Sequence, residues 1–421
     1  MNSTATTYIS ESPLRPNRVA PQDRPIQVKK PVERIPSVDV LRGFAMILMA
    51  LNHTQIFFFS GEHAMPALLN SNLPLFFTRW TPGFCAPVFV FLAGVAAYLQ
   101  LQRGKTKAEL SRFLFTRGLW LILLEVTIIN YGAFFALTLP VLQVFWALGI
   151  SMVMLAGLVW LPMPIIAVIG ITFVAGHNAF DHVRAASLGS WANLWRLLHE
   201  TGLLLFAGKP IAFVAYPAIP WNGLMILGFC FGEIIILPAV RRIRITAISG
   251  ACLLILFLGL RGLHAYGDPT QWNASTDVAT SIKTFLGVSH NPVSLQFCAM
   301  AIGVSLLFLA WLDSLLVAGR SSWLRKYVEV YGGVPLFYYL LHIYALHALS
   351  IILCALTGHD WHVLAAPLPQ RMKMHLPDGY GFGLPGVYLI WIAVVTALYW
   401  PVRQYANYKR AHPEKTWLSY L

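Results

Sequence analysis

Residues 37–53 read SVDVLRGFAMILMALNH, with Asp39 and Arg42 at one end, Asn52 and His53 at the other and apolar or small residues between. A plain membrane anchor has no use for ionisable groups at both ends of its span, because each is costly in lipid unless it is paired or faces water. At 100° per residue, Asp39, Arg42 and His53 fall within about 60° of one another on one helix face, and Asn52 points away. Arg42 and His53 are 11 residues apart, so their side chains leave the helix at levels roughly 16 Å apart along its axis. This is the pattern of a helix that presents one face to a polar path through the bilayer.

The rest of the chain has the matching composition. Of 421 residues, 57% are hydrophobic and 11% charged, where a soluble protein carries about a quarter charged residues. Apolar runs long enough to cross a hydrocarbon core of ~30 Å recur throughout. The expected fold is an all-α, polytopic transmembrane helical bundle, since only internally hydrogen-bonded elements survive in lipid. About ten spans are expected, at 36–59, 83–102, 115–136, 140–160, 162–176, 217–238, 245–262, 292–313, 328–356 and 384–402. Residues 1–35 form a basic, Pro-rich tail expected to be disordered and cytoplasmic, with no signal-peptide pattern. Residues 36–402 form the membrane domain, and 403–421 a second cytoplasmic tail.

The net charge of +13 reports orientation here, not a nucleic-acid partner. With ten spans and both termini cytoplasmic, every basic loop falls on the inner side, as the positive-inside rule requires. The long connections at 60–82, 177–216, 263–291 and 357–383 then face outward and suit a substrate approaching from that side. The five cysteines lie in or beside apolar segments without CxxC spacing, so neither a disulfide framework nor a metal site is suggested. Walker, dinucleotide-binding, HExxH and GxSxG patterns are lacking, and nucleotide-driven and common hydrolase chemistries lose their usual support.

Polar residues within the spans mark a possible shared cavity. In YGGVPLFYYLLHIYALHALS, Tyr338, Tyr339 and His342 share one face and His347 is rotated away. YPAIPWNGLMILGF opens a span with two prolines and Trp221, either an interfacial anchor or a wall on which a sugar stacks. Glu125 lies within the third span, and Arg112 and Arg117 stand before it, where guanidinium forks match the phosphates of an anionic cytosolic ligand. Positive-inside topology alone also accounts for the two arginines.

RIPSVDVLRGFAMILMALNH, FFTRWTPGFCAPVFVFLAG, YPAIPWNGLMILGF and YGGVPLFYYLLHIYALH together resemble the bacterial membrane proteins related to heparan-α-glucosaminide N-acetyltransferase. The S-x-D-x-x-R-G opening is also similar to that of the wider integral-membrane acyltransferases. The resemblance implies transfer of an acyl group, typically acetyl, from cytosolic acyl-CoA to a sugar or glycolipid on the far side of a bacterial inner membrane. It places Asp39 and Arg42 at the CoA entrance, joined by Arg112 and Arg117. The catalytic histidine is His53 by the general acyltransferase pattern, or His63 by the heparan-enzyme pattern. A histidine can deprotonate the acceptor hydroxyl or amine, or carry the acyl group itself. Trp221, Tyr339 and His342 are expected on the acceptor side. The expected partners are the lipid bilayer, a small-molecule or glycan acceptor and, through lipid-facing Gly and Ala, a second copy of the chain. The rival function is a transporter or flippase for a sugar, lipid or organic anion, whose mark would be inverted repeats with broken helices.

Overall fold

The computed structural model describes residues 35–61, 69–290, 292–320, 322–371 and 376–420, and these pack as one helical unit. Among them, nine helices are long and apolar enough to cross a membrane, and Val144–Leu158 is a shorter apolar helix beside them. The protein is thus a multi-pass membrane helical bundle.

The first helix, α1 (Pro36–Phe58), opens on a proline at its first position, where the missing N–H costs nothing. A short helix α2 (Leu73–Trp80), capped by Asn72, runs through a 3₁₀ turn at Thr81–Phe84 into α3 (Cys85–Gln102). Thr106 and Glu109 form a reciprocal capping box at the start of α4 (Lys107–Leu124). A π-helical turn, Glu125–Ile129, then leads into α5 (Asn130–Phe134). The chain continues through α6 (Val144–Leu158), α7 (Met163–Gly176), α8 (Ala192–Leu198), α9 (Ala218–Ile235) and α10 (Ala239–Gly262). After α11 (Val278–Leu286) come α12 (Leu295–Val317), α13 (Trp323–Gly333), α14 (Pro335–Leu356), the short α15 (Leu368–Arg371) and α16 (Leu384–Ala411).

One expected span is divided. The apolar run 328–356 breaks at Val334 (φ −139°, ψ 57°), so that Pro335 starts α14 and the preceding residues belong to α13. Proline cannot continue the i→i−4 ladder, and it pushes the preceding residue out of the α region. The break lets α13 cross α1 at backbone contact. Gly43 and Gly332 meet there, and a Cβ on Gly332 would collide with the Asp39 carbonyl while one on Gly43 would collide with that of Val328. Small residues are what permit such close approach between membrane helices.

The 177–216 connection, which the sequence reads as an outward-facing loop, carries two strands of a small three-stranded sheet. Strands β2 (Gly202–Phe206) and β3 (Lys209–Val214) form a hairpin, and β1 (Val141–Leu142) pairs in parallel with β3. Ala207 and Gly208 carry positive φ of 49° and 76° at the tip, the geometry a two-residue hairpin loop demands. The 263–290 connection is held by Arg261, whose side chain is 2% exposed. Its guanidinium donates to the carbonyls of Phe285, Thr270 and Thr284, and Asp268 stands 3.7 Å away. At the opposite end, Arg242 grips Asp313 through two contacts of 2.6 and 3.1 Å, and Ser37 donates to the same carboxylate. The bundle therefore has a basic end, where α1 begins, and a loop end carrying the sheet and α11.

Candidate functional site

Two cavities meet inside the bundle, and α1 forms a wall of both. The first, 300 Å³, opens toward the basic end and is lined along α1 by Arg42, Met46 and Met49. The second, 360 Å³, lies toward the loop end and is lined along α1 by Met49, Asn52, His53, Ile56 and Phe57. The spacing 42, 46, 49, 53 is one helical stripe, so the face recognised in the sequence is the face turned to the cavities. Asn52 departs from the expectation: it lines the loop-end cavity too, which is wide enough there to reach around the helix. Met49, Val144 and Tyr339 belong to both linings and stand where the two cavities abut.

The mouth of the first cavity is cationic. Arg42, Arg117 and Lys409 line it, with Gln100 and otherwise largely apolar walls. Arg42 Nη1 donates to Asp39 Oδ1 and to the Gly332 carbonyl, both at 3.3 Å. Arg117 and Arg42 lie close enough to Lys409 to repel its charge. Arg112, grouped with Arg117 from sequence, is exposed one turn earlier on α4 and is not part of either lining. A 770 Å³ groove adjoins this mouth and shares Lys409 and Gly333 with it. Asp39 lines the groove rather than the cavity, together with Lys326, Tyr327, Glu329, Arg403 and Arg410. Nothing in the sequence singles out Lys409, because the positive-inside rule already accounts for a basic C-terminal segment.

At the inner limit of the loop-end cavity, His53 Nδ1 lies 2.7 Å from His342 Nε2. The two rings are inclined by 17° with centroids 5.0 Å apart, so with nitrogens this close they meet edge to edge, nearly coplanar. His342 Nδ1 is 2.8 Å from the Tyr338 carbonyl one turn back on α14. Tyr339 stands perpendicular to both imidazoles, at 5.6 Å from His53 and 5.3 Å from His342. His342 is fully buried and lines neither cavity. It was expected on the acceptor side, and the structure places it behind His53 instead. His347 is also buried, with its two ring nitrogens 2.9 and 3.1 Å from the Gly132 and Leu364 carbonyls on the other side of α14, of which a neutral ring can donate to one.

Tyr216 and Trp221 stack at 4.8 Å and 29° and form part of the loop-end wall, with Arg79, Gln143 and His290 also lining it. Trp221 is 2% exposed, and its indole nitrogen is buried without a hydrogen-bond partner. Glu125 serves another purpose. Its carboxylate accepts the backbone N–H groups of Phe145 and Trp146 at 2.8 and 3.0 Å, satisfying donors left open at the start of α6. His63 lies outside the described residues.

Residues 34–267 match the heparan-alpha-glucosaminide N-acetyltransferase catalytic family. The chain belongs to that family. The match runs from the start of α1 past the end of α10, more than half the chain, and points to a membrane acetyltransferase. No curated protein matches the sequence. His53, Arg42, Arg117 and Trp221 thus lie within the family's catalytic region, whereas Tyr339, His342 and Lys409 come from helices beyond the matched residues.

Proposed function

We propose that the protein transfers an acyl group, acetyl in the first instance, from acyl-CoA at the basic end to a sugar or glycolipid acceptor in the loop-end cavity. The basic end would face the cytosol and the loop end the outside of a bacterial inner membrane. The observation that carries this reading is the pair of abutting cavities along one stripe of α1, cationic at one mouth and reaching His53 beyond the Met49 level. The CoA phosphates would meet Arg42, Arg117 and Lys409 through charge-assisted hydrogen bonds, with the nucleotide end in the neighbouring groove. The flexible arm would follow the apolar walls and bring the thioester toward His53, ~16 Å farther along the helix.

In that arrangement His53 takes the proton of the acceptor hydroxyl or amine as its oxygen or nitrogen attacks the thioester carbonyl. The carbon–sulfur bond then breaks, and the thiolate recovers the proton from His53 to leave as free CoA. Trp221 and Tyr216 offer a stacking surface for a sugar ring. The test is transfer of label from radiolabelled acetyl-CoA in proteoliposomes to amino sugars and glycolipids, with His53→Ala alongside. Labelled product that disappears in the variant is the expected result. Absence of both transfer and CoA binding across the acceptors would overturn the reading in favour of a transporter.

A further inference from the structure

We propose that His342 is a positioning residue that fixes the tautomer of His53, directing the unprotonated Nε2 of His53 at the acceptor. This rests on the reading of His53 given above and adds a role for a helix beyond the family match.

The assignment follows from which atoms can donate. The Tyr338 carbonyl can only accept, so the proton in its 2.8 Å contact with His342 must sit on His342 Nδ1. In the neutral ring that leaves His342 Nε2 as an acceptor, and the 2.7 Å contact then requires the proton on His53 Nδ1. His53 Nε2 is consequently a lone-pair nitrogen, and it is the ring nitrogen left to the loop-end cavity that His53 lines. The reverse chain would need a second proton on His342, three on the pair instead of two. That would be a net charge within the membrane, and among the described residues neither ring touches a carboxylate. Ending on a carbonyl, the relay sets orientation without bringing a fixed charge into the bilayer. The rings cannot turn out of line easily, because Tyr338 stacks on His342 at 4.9 Å and 22° while Tyr339 blocks both edgewise.

The first test needs no acceptor. Full-length protein carrying ¹⁵N-histidine is reconstituted in proteoliposomes, and its nitrogen NMR spectrum is compared with that of His53→Ala to isolate the His53 signals. The expected spectrum gives His53 a protonated Nδ1 and an unprotonated Nε2. It becomes a tautomer mixture in His342→Leu and returns to one form in His342→Gln, whose amide oxygen can accept from Nδ1. An Nε2–H tautomer in the wild type, or a His342→Leu spectrum unchanged from it, overturns the proposal.

The second test is kinetic, with acetyl-CoA and whichever amino sugar or glycolipid of the panel is labelled. His342→Leu should lower kcat by about tenfold at least, within the ~10⁴-fold that a wrong histidine tautomer costs, while leaving KM for acetyl-CoA within about twofold. His342→Gln should recover most of kcat, which a purely structural role would not predict. An unchanged kcat in His342→Leu, or a His342→Gln variant as slow as His342→Leu, refutes the positioning role. If His53→Ala itself keeps full activity, it is the placement of chemistry at His53 that fails, and the NMR result still decides the tautomer.

Discussion

Lys409→Met is the most direct probe of how the basic end recognises its ligand, with Arg112→Met as its partner experiment. Lys409 lines the cavity mouth beside Arg42 and Arg117, whereas Arg112 is exposed on α4 away from it. A hydrogen bond between charged groups contributes about 1.5–3 kcal/mol, and each 1.4 kcal/mol is a tenfold change in Kd. Loss of the Lys409 contact to a CoA phosphate should therefore weaken acetyl-CoA binding by roughly 10- to 150-fold. The Arg112 variant should stay within about twofold of wild type, since an exposed charge outside the mouth acts only through a screened field. Folding can be separated from binding, because Lys409 is repelled by Arg117 and Arg42. Its removal relieves like-charge repulsion and should leave thermal stability equal or slightly higher. Equilibrium binding of radiolabelled acetyl-CoA to detergent-purified protein, at two salt concentrations, measures the effect. Equal affinities for Lys409→Met and wild type, or an Arg112→Met loss as large as that of Lys409→Met, would refute the placement of the phosphates.

Three further outcomes are expected. Gly332→Val should destabilise the protein by about 1–3 kcal/mol through overpacking, because its side chain meets the Asp39 backbone; thermal unfolding followed by size exclusion would show a lowered midpoint, and an unchanged one would mean the α1–α13 crossing is looser than described. Arg261→Met strips the donors from four loop carbonyls and leaves Asp268 without its ion-pair partner, though still bonded to Thr270 and Ser289, a change worth about 3–5 kcal/mol for a buried charge network; proteolysis between α10 and α12 should accelerate, and resistance equal to wild type would contradict the anchoring role. Asp181 is held below the usual carboxylate range because, although burial acts to raise it, the His199 contact at 3.2 Å and the Asn178 hydrogen bond at 2.9 Å outweigh burial. Its stabilisation is present above the unfolded carboxylate value of about 3.9 and is lost as pH falls through the lower folded value, so the gap in thermal stability between wild type and Asp181→Asn should be open at neutral pH and close in acid; a gap independent of pH would rule this out.

The stripe on α1 was legible because period alone decides which residues of a straight helix share a face, and the same arithmetic holds in lipid and water. The apolar helices were legible for a similar reason: length and composition are sufficient to find them. The division at Val334 is only half visible in the sequence, since Gly332, Gly333 and Pro335 are residues that loosen a helix, and whether it bends or breaks is decided by the crossing with α1. The hairpin at 202–214 was hidden because its strands are short and the sequence between spans is judged by polarity rather than pairing. Tyr339 and His342 illustrate the limit of facing arguments. They are three residues apart, yet one lines both cavities and the other is sealed behind His53. Which neighbour covers a residue depends on partners almost 300 positions away, here α1, and no local spacing encodes that. Lys409 was obscured by a sound general rule, because a basic residue at the inner membrane boundary already has an explanation before any specific one is sought.

The meeting of the cavities at Met49, Val144 and Tyr339 has a consequence for the cell that houses the protein. A continuous water column from one mouth to the other would be an electrical shunt, draining ion gradients with every molecule inserted. A thioether, an isopropyl group and an aromatic ring line the join, and an apolar constriction is one that sheds water instead of conducting it. On the function proposed above, such a join would let an acyl group cross the bilayer without an ion following it.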